Sequence, residues 1–154
     1  MFKGFFKKTG MTLIDKWMPF MHQVADLEKD VVNLSDEGLR QKTAEFQKIL
    51  ENSTLEEILP GVFAVAREAA KRTLNQRHFD EQILGGYGLH KGTVVEMGTG
   101  EGKTITATLA IYANALEKKG AHVKTACLYV LPTTKIKADY YISEVSVVVK
   151  FPWE

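Results

Sequence analysis

The chain has 154 residues, enough for one domain with a hydrophobic core, and its 45% hydrophobic and 25% charged residues are those of an ordinary globular protein. The 20 basic and 19 acidic residues leave a net charge of +1, which argues against a dedicated nucleic-acid binder. The single cysteine, Cys127, excludes an intrachain disulfide and a multi-cysteine metal site.

The N-terminal segment combines aromatic and basic residues. They are Phe2, Lys3, Phe5, Phe6, Lys7 and Lys8. A helix would place the three phenylalanines on one face, which could lie on an anionic membrane or pack on the same protein. No apolar run approaches the ~20 residues needed to span a bilayer, and no small-residue cleavage site follows the basic start. We therefore predict no signal peptide and a cytoplasmic protein.

Two helices are predicted in the next forty or so residues. The first begins after Ser35, whose hydroxyl can cap the free backbone N–H groups. The second is expected over residues 61–74, with Pro60 at its start because the missing proline N–H is not needed there. Four charged residues of this second helix are expected to face water or a partner. They are Arg67, Glu68, Lys71 and Arg72.

The second half of the chain predicts an α/β fold. Residues 83–93 are dense in glycine and indicate a short helical end followed by turns. Residues 93–97 are β-branched and predict a buried strand, residues 103–119 predict a helix, and residues 122–132 predict a second strand. Strand, crossover helix and strand form a βαβ unit, which requires a parallel sheet.

The run "VVEMGTGEGKT" lies between the first predicted strand and the helix. Glycines let a backbone turn tightly and bring its N–H groups close to phosphate oxygens, and a helix N-terminus adds its positive dipole end. Lys103 can reach the β- and γ-phosphates, and the Thr104 hydroxyl is a candidate Mg²⁺ ligand. The predicted phosphate-binding residues are Gly98, Thr99, Gly100, Glu101, Gly102, Lys103 and Thr104. The alternative is a glycine-rich turn without a ligand.

Two residues upstream of the loop are candidates for contact with an adenine base. The amide of Gln82 offers both a donor and an acceptor, and the ring of Phe79 can pack beside the base. An exposed glutamine and a core phenylalanine would explain the same residues without a ligand. Arg77, His78 and Asp80 could form a local polar cluster.

Together the runs "REAAKR", "RHFD-Q" and "EM-TGEGKT" make residues 34–125 resemble the N-terminal part of the SecA family, ATPase motors of bacterial preprotein translocation. The loop has Met97 where the general phosphate-loop (Walker A) pattern has glycine, a form typical of helicase-like motors. The resemblance implies the first part of a RecA-like, DEAD-like nucleotide-binding domain with ATP and Mg²⁺ as cofactors. It matches Gln82 to an adenine-reading glutamine and Phe79 to an adenine-side aromatic.

The resemblance also implies partners and a location. The N-terminal residues Phe2 to Lys8 become candidates for contact with membrane lipid and the translocation channel, and preproteins become expected partners. No nucleic acid is expected. The predicted location is the cytoplasm, with the inner face of the cell membrane as a peripheral site.

The resemblance divides the chain into three predicted segments. They are a basic amphipathic N-terminal segment at 1–33, the SecA-like nucleotide-binding part at 34–125 and a tail at 126–154 that does not align with the family. No adjacent Asp-Glu pair follows the loop in this sequence, and we expect no second motor domain to supply an arginine finger to this chain. The leading prediction is thus an ATP-binding translocase part with no complete catalytic set, unable to hydrolyse ATP in isolation. The alternatives are a non-catalytic nucleotide- or translocase-binding remnant and a fragment of a helicase-like nucleic-acid motor.

Overall fold

The structure is a computed structural model. It describes the backbone of residues 3–117, 126–130 and 140–144 and the side chains of residues 13–116. The chain divides into two compact units, Met1–Gly120 and Ala121–Glu154. The described part of the first unit is helical. Its helices are α1 (Lys3–Val31), α2 (Asp36–Ile49), α3 (Leu55–Leu74), α4 (Asp80–His90) and α5 (Lys103–Glu117). The predicted boundaries at 33/34 and 125/126 stay predictions.

The core of the first unit lies where α1, α3, α4 and α5 meet. Leu59, Phe63, Ile83 and Leu109 are fully buried there. The ring of Phe20 on α1 stacks on the ring of Tyr87 on α4 and meets the ring of Phe63 on α3 edge-on, at centroid distances of 4.1 and 5.2 Å. These aromatic contacts fix the second half of α1 against the helices that flank the glycine loop.

Helix α2 begins as the sequence predicts. The Ser35 hydroxyl accepts a hydrogen bond from the Gly38 N–H at 3.1 Å, and Leu39 and Phe46 are buried. The predicted start of the next helix is wrong, because α3 begins at Leu55 and contains Pro60 inside it. Burial of Leu55, Leu59 and the residues that follow offsets the backbone hydrogen bond that a proline inside a helix removes.

The predicted fold class, an α/β fold with a βαβ unit, is wrong. Residues 93–98 have no regular secondary structure, so the first strand of the predicted unit is absent, and no strand occurs in the described part of the first unit. A β-branched run becomes a strand only where another strand pairs with it. Here the side chain of Val95 packs towards the small-residue face of α4, while Val94 is 99% exposed.

The glycine-dense stretch 83–93 agrees only in part with its prediction of a helical end followed by turns. Residues 83–90 belong to α4, in which Gly85, Gly86 and Gly88 are buried, and a turn occurs only at Lys91 and Gly92. A Cβ atom at Gly86 would lie 2.7 Å from Cδ1 and 2.9 Å from Cβ of Leu109 on α5. Gly85 and Gly86 therefore allow α5 to approach α4 closely rather than ending the helix.

The second unit contains a two-stranded parallel sheet among its described residues. Strand β1 (Ala126–Val130) lies inside the stretch for which a strand is predicted, and it pairs with β2 (Tyr140–Glu144). Ala126 is opposite Tyr140, and Val130 is opposite Glu144. Among the described helices, none has both the length and the apolar character required to cross a bilayer.

Candidate nucleotide site

A cavity of about 600 Å³ lies between the turn after α3, the start of α4 and the glycine loop before α5. It brings together five of the predicted site residues. They are Phe79, Gln82, Gly100, Glu101 and Gly102. The other predicted loop residues, Gly98, Thr99, Lys103 and Thr104, do not line this cavity, although they belong to the same loop and the first turn of α5.

Gln82 joins the two walls of the cavity. Its side-chain oxygen accepts a hydrogen bond from the Phe79 N–H at 3.0 Å, and its Nε2 donates to the Glu101 carbonyl at 2.8 Å. A primary amide has two N–H groups and two lone pairs, so one donor and one acceptor position are left for a ligand. Gln82 is buried, and its contact with the loop was not expected from the sequence.

The loop is held by contacts among its own residues. The Gly98 N–H donates to Oε2 of Glu101 at 2.6 Å, and Nζ of Lys103 donates to the Gly98 carbonyl at 2.8 Å. Gly100 and Gly102 have φ values of 85° and 79°, which residues with a Cβ rarely adopt. Thr99 and Thr104 are exposed. An entering anion would compete with the Glu101 carboxylate for the Gly98 N–H and with a carbonyl for Lys103.

Phe79 presents an apolar surface at the mouth of the cavity. It is the residue before α4, and its side chain is 68% exposed although large apolar side chains are usually buried. An exposed aromatic ring beside the Gln82 amide suits a flat, partly apolar ligand such as a nucleobase. The alternative of a core phenylalanine is wrong for this residue.

An ionic network around the buried Arg67 adjoins the cavity through Arg77, which lines it. Arg67 is 0% exposed, and it donates from Nε to the His78 carbonyl at 2.8 Å and from Nη2 to Asp80 at 2.6 Å. Glu28 of α1 accepts two hydrogen bonds from Arg77, both at 2.7 Å. The expectation that Arg67 and Glu68 face water is wrong, because α3 turns both towards the interior.

His78 lies between this network and α5. Its Nε2 donates to the Ile105 carbonyl at 2.8 Å, while its Nδ1 is buried without a partner. Burial lowers the pKa of His78, and the nearby Arg67 and Arg77 charges lower it further, against the hydrogen bond to Ile105. The imidazole is therefore neutral near pH 7 and ties the start of α4 to the first turn of α5.

The backbone N–H groups of the loop and the Lys103 ammonium are donors of the kind that suit a phosphate chain. A Cβ at Gly102 would lie 2.5 Å from Nε2 of Gln82, so only a glycine allows the loop to approach this wall. The described residues contain no cluster of three or more His, Cys, Asp or Glu side chains that could hold a metal. The Thr104 hydroxyl is a group that could hold Mg²⁺ together with nucleotide phosphates, an arrangement common for this ion.

Six residues of the cavity wall were not predicted. They are Asn75, Gln76, Arg77, Glu81, Met97 and Ile105. Asn75 adopts φ 55° and ψ 30° directly after α3, a left-handed conformation that turns the chain back towards the loop. In the sequence, this turn is indicated only by an asparagine, Asn75, placed directly after the apolar residues of α3.

The N-terminal membrane-contact candidates lie at the edge of the described structure. Residues 3–8 belong to α1, but their side chains, and all of Phe2, lie outside the described residues.

Comparisons with known proteins identify one family. A family model described as the SecA DEAD-like domain matches residues 2–138. A protein translocase subunit SecA from Rhodopseudomonas palustris (strain BisB18) is 55% identical over 113 residues, which are 73% of this chain and 12% of that protein. The protein translocase subunit SecA of Mycoplasmopsis pulmonis (strain UAB CTIP) is 54% identical over 126 residues, or 81% of this chain and 14% of that protein. This chain thus covers only 12% and 14% of the lengths of these two relatives.

Proposed function

Because the chain belongs to the SecA DEAD-like domain family, we propose that it is the ATP-binding part of a SecA-type motor for protein translocation. One observation carries the nucleotide site. A single cavity combines an exposed aromatic ring, a glutamine amide and the backbone of a glycine loop at the start of a helix. These are the groups needed for a base at one end and a phosphate chain at the other.

The proposed ligand is ATP with Mg²⁺. Adenine would lie beside Phe79 and use the remaining donor and acceptor of Gln82, while the phosphates follow the loop towards α5. Lys103 would exchange its bond to the Gly98 carbonyl for the phosphates, and Thr104 would contribute a hydroxyl to the metal. The loop can close on phosphate only if Glu101 releases the Gly98 N–H.

The isolated 154-residue chain is proposed to bind ATP without hydrolysing it appreciably. Phosphoryl transfer depends on positioned charges around the γ-phosphate and on a group that orients the attacking water. Residues 105–154 contain no adjacent Asp-Glu pair that could hold the metal or orient the attacking water. In the whole motor, we propose that ATP hydrolysis would move preproteins through a membrane channel, with anionic lipid near the basic N-terminal segment.

The test is a calorimetric titration of the chain with MgATP, alongside Lys103→Ala and the control Lys48→Ala. Lys48 lies on α2 and does not line the cavity. We expect saturable binding by the wild-type chain and by Lys48→Ala, and a loss of affinity of at least about tenfold in Lys103→Ala, as when one charged contact is removed. A steady-state hydrolysis assay should give the same background rate for all three proteins.

Two results would contradict the proposal. Absence of saturable binding at millimolar MgATP would leave no nucleotide site, and hydrolysis that disappears in Lys103→Ala would show that the chain is catalytically competent. Salt-dependent binding of single-stranded nucleic acid would instead support a helicase-like motor, which the family match disfavours.

A further inference from the structure

Glu28, near the C-terminal end of α1, is a buried carboxylate in contact with two arginines. Only 7% of the residue is exposed. Its Oε1 accepts from Nε of Arg77 and its Oε2 accepts from Nη2 of Arg77, both at 2.7 Å. Its Oε2 also lies 3.3 Å from Nη1 of Arg67. One carboxylate thus compensates two guanidinium groups, one of which is fully buried.

Both arginines act on the segment that supplies the base-side wall of the cavity. Arg67 holds the His78 carbonyl and the Asp80 carboxylate, which lie on either side of Phe79. Arg77 lines the cavity itself, whereas Glu28 does not. Any influence of Glu28 on a ligand in the cavity must therefore pass through the arginines and the backbone of residues 77–82.

We propose that Glu28 is a positioning residue for the base-binding side of the site, so that nucleotide binding and docking of the end of α1 are coupled. The inference rests on the proposed ATP site. Without the carboxylate, Arg77 loses both hydrogen bonds to Glu28, and the buried Arg67 keeps only Asp80 as a charged partner. The two arginines must then rearrange or be hydrated by water. Residues 77–82 would then no longer hold Phe79 and Gln82 in place beside the loop.

Coupling of this kind is reciprocal. If docking of α1 strengthens nucleotide binding, nucleotide must strengthen docking of α1 by the same factor. The effect should be larger for a ligand with a base, because the arginines contact His78 and Asp80, which flank Phe79, whereas this segment reaches the glycine loop through the Gln82 amide. Inorganic tripolyphosphate carries the phosphate charge without a base, so it serves as a probe that uses the loop alone.

The first experiment compares the affinities of the full chain, Glu28→Gln and the control Asp26→Asn for MgATP and for magnesium tripolyphosphate. Asp26 is also on α1, but its ion pair with Lys29 is exposed. We expect Glu28→Gln to weaken ATP binding on the order of tenfold and to weaken tripolyphosphate binding much less, whereas Asp26→Asn changes neither. A merely structural role for Glu28 would weaken both ligands equally and would overturn the inference.

A second measurement does not depend on the stability of the variant. Amide hydrogen exchange in the wild-type chain should slow at residues 24–31 when MgATP is added, and should slow much less with tripolyphosphate. Unchanged exchange at residues 24–31 with saturating ATP would overturn the inference while leaving the ATP site intact. A wild-type chain that binds neither ligand would overturn the proposed function and this inference with it.

Discussion

At the scale of single residues, Arg67 is a fully buried guanidinium whose carboxylate partners, Glu28 and Asp80, lie on α1 and at the start of α4. The local sequence places Arg67 among charged neighbours, and a run of charges usually marks a solvated face. A local period cannot show that a charged residue has distant partners, although a buried guanidinium is tolerable only with them.

His78 makes the stability of the chain depend on pH. Its folded-state pKa is lowered from the usual 6.5, so as the pH falls His78 takes up a proton more readily in the unfolded chain than in the folded chain. The stabilising contribution is complete above the unfolded pKa and is lost as the pH falls below it. We expect the free energy of unfolding in urea to decrease between about pH 7 and about pH 5.

The variant His78→Gln isolates this contribution. The glutamine can still donate to the Ile105 carbonyl, but it does not titrate. Its free energy of unfolding should be lower than that of the wild type near pH 7 and should change less as the pH falls. Equal pH dependence in the two proteins would mean that His78 is not responsible.

At the scale of elements, α2 and α5 show what sequence patterns predict well. Helix α2 has the capping serine, the acidic first turn and the buried apolar residues that its sequence pattern predicts. Helix α5 buries the apolar stripe that includes Leu109, as its pattern predicts. Helix α4 could not be predicted in the same way. Its buried glycines have low helix propensity. They are favourable only because α5 packs against Gly85 and Gly86, and Trp17 and Val95 pack against Gly88, tertiary contacts that the local sequence does not reveal.

Two glycine-to-alanine variants test this explanation of α4. In Gly86→Ala the new methyl group would overlap Leu109, and we expect a destabilisation of about 1 to 3 kcal/mol. In Gly61→Ala on α3 the methyl group would meet the Phe46 ring at an ordinary 3.6 Å. That variant should gain about 0.4 to 1 kcal/mol, because alanine restricts the unfolded chain.

Thermal and urea unfolding of both variants provide the measurement. Each substitution adds one methyl group to a helix. The decisive result is therefore the opposite sign of the two changes in the free energy of unfolding, rather than their size. A Gly86→Ala protein as stable as Gly61→Ala would show that α4 and α5 do not require their close approach.

At the scale of the whole molecule, the described part of the first unit is a bundle of helices that presents a glycine loop without the strand expected before it. Residues 93–97 have the composition of a strand, but none of the described residues pairs with them, so composition alone predicts the wrong fold class. Five of the nine predicted site residues meet in one cavity, and their role in binding a ligand stays a prediction. They are Phe79, Gln82, Gly100, Glu101 and Gly102.

The family assignment and the cavity together make nucleotide binding at the α3–α4 turn and the glycine loop the central claim. An amide chemical-shift map of the isotopically labelled chain, recorded with and without MgATP, tests it most directly. We predict shifts concentrated at residues 75–82 and 98–105. No shifts at millimolar MgATP, or shifts concentrated instead on the groove lined by Leu39, Ala69 and Tyr112, would contradict the claim.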